Sequence, residues 1–149
     1  MSVLRPDTQG FPAFQGRGWR FGRDKMDRPG VTCDKRWGRV EMSTGLSDIA
    51  EAVYLIIATS KGSRVMRPDF GCGIHDMTLS SPDSQTRTRI KAEIKEALRR
   101  FEARIDVTGV DVSGDNDVNG KLRISVDYRV RTTNQRGNIV YPFYFREGA

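Results

Sequence analysis

Residues 122–130, LRISVDYRV, alternate apolar and polar side chains without a break, and this alternation constrains the fold more than any other feature of the chain. Successive side chains of a β-strand point to opposite faces, so a period of two predicts a strand with one buried face. The positions expected to face the core are Leu122, Ile124, Val126, Tyr128 and Val130. Such a strand belongs to an antiparallel sheet with one covered face.

Two neighbouring segments are predicted to pair with this strand. Residues 105–112 also alternate, but their phase slips at Gly109, which predicts a β-bulge. Residues 138–145 contain Pro142, which has no N–H to donate and therefore indicates an edge strand or a break. The side chains that this third strand should place on one face are Ile139, Tyr141, Phe143 and Phe145.

A first helix is predicted to begin near Leu46 and to be largely buried. Asp48 and Glu51 have the spacing of a capping box, and Gly62 suits a helix stop because glycine tolerates the left-handed conformation. The apolar residues that recur at helical spacing are Ile49, Ala52, Val53, Ile56 and Ile57.

A second helix is predicted from about Pro82 to Phe101, with Ser81 as its cap. Its apolar stripe consists of Ile90, Ile94, Leu98 and Phe101. Two ion pairs are expected between successive turns, Arg89–Glu93 and Glu96–Arg100. The resulting fold class is α+β: two helices packed on a small, mainly antiparallel sheet, with an extended N-terminal arm.

The basic charge lies almost entirely in that arm. Residues 1–40 contain nine Lys and Arg against four Asp and Glu, a net of +5, and the whole chain carries +6. This segment is rich in aromatic and turn residues but has no regular period. We therefore predict an extended basic, aromatic arm over 1–45 and a compact domain over 46–149. The arm should pack partly on a neighbouring protein, or else only on its own domain.

Composition excludes several classes of protein. No apolar run reaches the roughly 20 residues that a membrane-spanning helix needs. The N-terminus lacks the apolar stretch of a secretory signal, so we expect synthesis in the cytoplasm and no membrane insertion. Cys33 and Cys72 match neither a zinc pattern nor a disulfide framework, and whether they ever meet is left open.

The glycine-rich stretch 61–76, KGSRVMRPDFGCGIHD, is a candidate reactive centre because it holds Cys72 and the chain's one histidine, His75. A nucleophile and base would need a third residue to orient the imidazole, and none is evident. The glycines instead favour a structural joint, because they permit unusual backbone shapes. In that interpretation the charges of Arg64, Arg67 and Asp69 pin the joint in place.

Two further patterns resemble sites of known chemistry. The start of a calcium loop is matched by Asp115, Asp117, Asn119 and Gly120, but its twelfth position would be Val126, inside a strand. Glu102 could act as the acid of a glycoside hydrolase, but Arg104 beside it favours the ionised carboxylate and hence an ion pair. We predict no catalytic residue, no metal, no cofactor and no small-molecule substrate.

Four separated stretches, GRGWRFG, SRVMRPDFGCGI, RRFEARIDV and RTTNQRGNIVYPFYF, occur in an order that closely resembles the phage baseplate wedge family. This family, which has also carried a lysozyme label, supplies the sheath initiators of contractile tails and related injection systems. The resemblance runs from about Gly16 to Glu147. It implies a structural protein of a phage tail-like particle whose partners are the sheath protein, other wedge proteins, and inner tube or hub proteins.

The resemblance also implies which residues serve assembly. Glu102, Arg104 and Ile105 match the family's Glu-Pro-Arg-Ile signature, although Ala103 stands in place of the proline. The other matched motifs are an arginine loop (Arg64, Pro68, Asp69, Phe70 and Gly71), a C-terminal strand (Asn134, Tyr141, Pro142 and Phe143) and an N-terminal aromatic pair (Trp19 and Phe21). Sheath subunits would add strands to the compact domain and so form their first ring.

Two alternatives to the assembly hypothesis remain. Basic and aromatic residues are interleaved in the arm, which suits a nucleic-acid-binding module, although no recognised module is present and the rest of the chain is nearly neutral. A peptidoglycan hydrolase is the third possibility, and it would depend on Glu102.

Overall fold

A computed structural model describes residues 16–23, 29–34, 36–78, 83–114 and 121–144. The chain divides into two compact units, Met1–Glu51 and Ala52–Ala149, and the boundary between them falls inside the first helix. Two α-helices and antiparallel sheets confirm the α+β class.

The described residues of the first unit contain four strands of three residues each. Strand β1 (Arg17–Trp19) pairs with β4 (Met42–Thr44), and β2 (Phe21–Arg23) pairs with β3 (Pro29–Val31), both antiparallel. None of these strands is predicted by the sequence pattern, because three residues are too few to show a period. The expectation that 1–45 is an arm that reaches neighbouring proteins stays a prediction.

Helix α1 spans Leu46–Ala58, and its apolar side chains Ile49, Val53, Ile56 and Ile57 are buried as predicted. The predicted capping box is wrong. Asp48 lies inside the first turn and is buried. The carboxylate of Glu51 accepts a hydrogen bond from the Phe21 amide at 3.0 Å, so it is not available to cap the helix.

The prediction that Gly62 stops α1 is also wrong. The helix ends at Ala58, and the last turn is closed by Thr59, whose N–H and hydroxyl both donate to the Leu55 carbonyl at 3.0 and 2.6 Å. Because Thr59 closes the turn, no glycine is needed there. Gly62 does adopt a left-handed φ of +80°, but in the loop that follows.

Helix α2 spans Ser84–Phe101. Its cap is Asp83, whose carboxylate accepts from the Thr86 amide at 2.8 Å, and not Ser81 as predicted. Ser81 and Pro82 themselves lie outside the described residues. The predicted stripe is confirmed for Ile90, Ile94 and Leu98, which are buried, and Phe101 is half-buried. None of the helices in the described ranges is long and apolar enough to cross a bilayer.

Strands β5 (Ile105–Gly114), β6 (Lys121–Val130) and β7 (Arg136–Tyr144) form an antiparallel sheet in that order. The predicted inward residues of β6 are buried, and the register of β5 shifts between Val107 and Gly109, which confirms the bulge. Strand β7 lies at the edge, as Pro142 indicated. The residues of the calcium-like turn, 115–120, and Phe145 are outside the described ranges.

Candidate assembly surfaces

Residues 59–72, between α1 and a 3₁₀-helix at Gly73–Met77, form a loop whose two ends meet; we call it the 59–72 loop. The Cys72 amide donates to the Thr59 carbonyl at 2.8 Å, and the Gly62 amide donates to the Pro68 carbonyl at 2.8 Å. Gly71 has a φ of +115°, and a Cβ there would clash with the Thr59 carbonyl. Only glycine therefore allows the ends of the loop to approach so closely.

The loop is anchored on the last turn of α2 by an aromatic pair and an ion pair. The rings of Phe70 and Phe101 pack with centroids 5.0 Å apart. The carboxylate of Asp69 accepts from Arg100 Nη2 at 3.0 Å and also lies 3.8 Å from Arg67 Nε. Arg100 and Phe101 were predicted only as helix residues, because no spacing pattern connects positions 31 residues apart.

Three predicted charge pairings differ in the structure. Arg64 does not pair with Asp69, because its guanidinium lies over the Phe70 ring at 4.1 Å from the centroid. Glu93 pairs with Lys61 at 2.8 Å instead of with Arg89. This hydrogen bond from Lys61 raises the pKa of the lysine above its ordinary value. Arg100 binds Asp69, so the expected Glu96–Arg100 pair does not form either. Two charged residues of α2, Glu93 and Arg100, thus hold the loop instead of bridging turns of their own helix.

Cys72 and His75 have surroundings that suit a structural joint. Cys72 is fully buried, and burial raises the pKa of its thiol to about 11, so it stays protonated at neutral pH and is a poor nucleophile. Nε2 of His75 lies 3.0 Å from the Ile57 carbonyl, to which it can only donate. Both cysteines are free, and the described residues contain no cluster of side chains that could hold a metal ion.

Glu102 and Arg104 form a two-pronged ion pair just past the end of α2. Arg104 Nε and Nη2 donate to the two carboxylate oxygens, each at 2.7 Å, and the Arg104 amide donates to Oε1 at 3.2 Å. Glu102 is only 5% exposed. This two-pronged geometry confirms the predicted ion pair, in which both oxygens of the Glu102 carboxylate are engaged.

This ion pair lies at the same end of the sheet as Asn134, the first residue of the predicted strand motif. Ile105, the first residue of β5, is buried opposite Val130, and the Arg104 carbonyl accepts from the Arg131 amide at 2.9 Å. Asn134 lies in the turn between β6 and β7 with a left-handed φ of +56°, and its amide donates to the Val130 carbonyl at 2.8 Å. The structure therefore gives Asn134 a turn-forming role.

The other three residues of the strand motif are on β7, at the far end from Asn134. Tyr141 packs edgewise on Tyr54 with centroids 5.4 Å apart, and Phe143 is buried next to His75. Pro142 is half-buried opposite Arg123. Tyr141 and Phe143 thus serve the core, while Pro142 lies on the other face of the strand.

The backbone of β7 alternates between bonding to β6 and facing away from it. The Val130 amide donates to the Gln135 carbonyl at 2.9 Å, so every second residue after Gln135 continues the ladder. The intervening residues, Arg136, Asn138, Val140, Pro142 and Tyr144, direct their backbone groups to the outer edge. Pro142 fits this phase because it has no N–H to donate to β6.

The N-terminal aromatic pair lies in the first unit. Trp19 pairs with Met42 between β1 and β4 and is exposed. Phe21 is half-buried. Trp37, another aromatic residue of this unit, is 72% exposed. A Cβ at Gly18 would meet the Asp48 carboxylate, so the Asp48 side chain would have to shift if a larger residue replaced this glycine.

The baseplate wedge protein gp25 family matches residues 43–135, and the chain therefore belongs to this family. It is 36% identical to the baseplate wedge protein gp25 of Enterobacteria phage T4 over 77 residues, which are 51% of this chain and 58% of that protein.

Two solved structures share the fold. The first is a crystal structure of a Geobacter sulfurreducens protein provisionally described as a tail lysozyme; it is 50% identical, with a TM-score of 0.63, over 68% of this chain and 92% of that chain. The second, from the cryo-EM structure of the anti-feeding prophage baseplate, is 19% identical, with a TM-score of 0.60, over 89% of this chain and 87% of that one. The second likeness concerns the fold alone.

Proposed function

We propose that the chain is a structural, non-enzymatic component of the baseplate of a contractile, phage tail-like machine. In this role it binds other wedge proteins and inner tube or hub proteins, and it templates the first ring of the sheath. Membership of the gp25 family supports the place in the baseplate. The observation that carries the templating role is the outer edge of β7.

That edge has the properties of a strand acceptor. In the described part of the chain, no strand pairs with β7 on the side away from β6. Carbonyls of five residues and amides of four of them, all except Pro142, point outward along its nine residues. An open edge risks aggregation unless a partner covers it, and an extended segment from a sheath subunit would cover it by continuing the ladder.

Glu102 and Arg104 support wedge binding indirectly. Because Glu102 is buried, its carboxylate holds Arg104 and the junction between α2 and β5 in place, and does not itself touch a partner. Trp19 is the better candidate for direct contact, since its ring is exposed on a short strand of the basic segment. The buried, fully engaged carboxylate also argues against the hydrolase alternative.

Substitution of Val140 by proline tests the templating role. Val140→Pro removes one outward amide of β7 and keeps the ladder to β6, so we expect baseplates that carry sheath, counted by electron microscopy, to fall at least about tenfold. Val140→Thr keeps the amide and is the matched control. The two variants should unfold at similar temperatures. Full sheaths on Val140→Pro baseplates would refute templating through β7.

A nuclease-treated pull-down of the native complex tests the broader function. Wedge and sheath proteins should co-purify with the wild-type chain. If none does, and nucleic acid is retained with a steep salt dependence instead, the basic segment binds nucleic acid and the baseplate proposal fails.

A further inference from the structure

The tip of the 59–72 loop exposes two large apolar side chains side by side. Val65 is 93% exposed and Met66 is 91% exposed, whereas the other exposed large apolar side chains among the described residues reach at most 72%. Single exposed apolar residues are common on protein surfaces and need no explanation. Two adjacent apolar side chains in one loop, each more than nine-tenths exposed, are a candidate contact.

The tip is already folded into the shape that presents them. The Arg67 amide donates to the Arg64 carbonyl at 3.2 Å, which makes Val65 and Met66 the two corner residues of a β-turn. Below the turn, the Ser63 amide and hydroxyl both donate to the Ser60 carbonyl at 3.3 and 2.7 Å. A preformed turn loses little conformational entropy on binding, which favours a specific contact.

The contacts that anchor the loop on α2 do not involve the side chains of Val65 and Met66. Phe70, on the far side of the turn, supplies the apolar anchor by packing on Phe101. Arg64 is drawn toward that anchor by its contact with the Phe70 ring, 4.1 Å from the centroid. The loop therefore holds its position on α2 without using Val65 or Met66.

The charge around the tip indicates what it fits. Two acids lie at the loop: Glu93 pairs with Lys61 at 2.8 Å, and Asp69 pairs with Arg100 at 3.0 Å and lies 3.8 Å from Arg67. With Arg64 there are four cations against these two acids, so the loop region carries an excess of two positive charges. An acidic rim on the partner would complement this positive surround. A second copy of the chain is a poor occupant, because residues 41–149 hold 16 Lys and Arg against 15 Asp and Glu and so offer no excess of acid for the rim.

We infer that Val65 and Met66 form a docking knob that inserts into an apolar pocket with an acidic rim on a neighbouring wedge protein. This inference rests on the proposed function and deepens it by naming the contact and the chemistry of its partner. Methionine suits the role because its flexible side chain adapts to the shape of a pocket.

The test measures binding of the full chain to the wedge complex of the same particle, purified without this chain. Val65→Ser/Met66→Gln should weaken the affinity at least about tenfold, because two apolar side chains lose their burial. Leu46→Gln is the matched control, since Leu46 is another exposed aliphatic residue, at 44%, that is not part of the loop. The control should bind like wild type, and both variants should keep its unfolding temperature.

The outcomes separate the knob from the proposed function. If wild type and the double variant bind equally well, the knob is wrong and the baseplate role stands. If wild type does not bind the wedge complex, the baseplate role falls and the knob falls with it. Arg67→Gln should also weaken binding, and wild-type affinity should fall as salt rises, because the rim contact is electrostatic.

A photo-reactive phenylalanine analogue in place of Met66 identifies the occupant. A cross-link to a wedge-protein segment that combines apolar residues with Asp or Glu supports the knob. A cross-link to a second copy of the chain overturns it. Binding of the chain to vesicles of phosphatidylglycerol and phosphatidylcholine that is lost in the double variant would assign the tip to a membrane surface, and would also overturn it.

Discussion

The outer edge of β7 and the tip of the 59–72 loop are both exposed surfaces, but the chain holds them in place in different ways. Strand β7 is held by a regular ladder to β6 that runs along its nine residues. The loop is held by a few individual contacts, chiefly the Phe70–Phe101 pair, the Asp69–Arg100 pair and the close approach at Gly71. A ladder distributes stability over many residues, whereas the loop depends on a small number of positions.

The two surfaces also differ in what they offer a partner. The β7 edge presents backbone groups, which every sequence carries, so its outward side chains can change without loss of the pairing groups. The loop presents Val65 and Met66, so its partner must recognise particular side chains. We expect the edge to tolerate most single substitutions and the loop to be sensitive at its supporting residues.

The largest effect should come from Gly71. Gly71→Ala should lower the free energy of unfolding by about 4 kcal/mol, because it combines a φ of +115° with a clash against the Thr59 carbonyl. Gly62→Ala is the matched control: Gly62 has a φ of +80° and open space around it, so the loss should be only about 1 kcal/mol. Urea denaturation measures both. Equal losses would mean that the loop does not depend on the close approach at Gly71.

Loss of the Glu102 carboxylate should have the next largest effect and should reach both surfaces. Glu102→Ala leaves Arg104 without its two-pronged partner at the junction of α2 and β5, and should cost about 3 kcal/mol. Hydrogen exchange should then show lower protection in the sheet as well as in the loop, whereas Gly71→Ala should affect mainly the loop. Unchanged protection of β5 in Glu102→Ala would contradict this view of the junction.

Alkaline pH should lower the stability of both the loop and the sheet, but by less than Gly71→Ala or Glu102→Ala. Burial raises the pKa of Cys72, in the loop, to about 11 from 9.0, and burial also raises the pKa of Tyr128, in the sheet. In both cases the fold favours the neutral form, so stability falls once the unfolded chain begins to lose these protons. The hydrogen bond to Glu93 raises the pKa of Lys61, so its contribution is present below 10.5 and is lost as pH rises through the folded value.

All three groups therefore destabilise the fold as pH rises, Cys72 from its ordinary pKa of 9.0, Tyr128 from 10.0 and Lys61 from 10.5. Cys72 alone should remove about 2–3 kcal/mol of stability by the time the pH reaches its folded pKa and beyond. Urea titrations at a series of pH values measure the slope, and Cys72→Ala should flatten it. A slope that is the same in wild type and in Cys72→Ala would show that the buried thiol is not responsible.

Much of the sheet could be predicted because its signal is local. The alternation of residues 122–130 predicted which side chains are buried, the phase slip predicted the bulge at Gly109, and Pro142 predicted the edge. The helix ends were predicted less well. Thr59 closed α1 and Asp83 capped α2, and both residues compete with neighbours that have similar capping chemistry.

The candidate surfaces were predicted only in part. Motif resemblance named Arg64, Asp69 and Phe70, but not Arg100 and Phe101, which hold them. It named Glu102 and Arg104 together, and their ion pair was predicted because two residues so close in sequence can meet through local geometry alone. Val65 and Met66 carried no signal, since exposure is a property of the folded surface.

The sequence by itself determined the periodic elements and the Glu102–Arg104 pair, because each depends on residues within a few positions of one another. The tertiary structure alone decided that the charges of α2 pair with Lys61 and Asp69 instead of with one another. It also decided that two apolar residues protrude from a folded turn. These outcomes depend on which distant segments the packed core brings together, and no local pattern of residues encodes that choice.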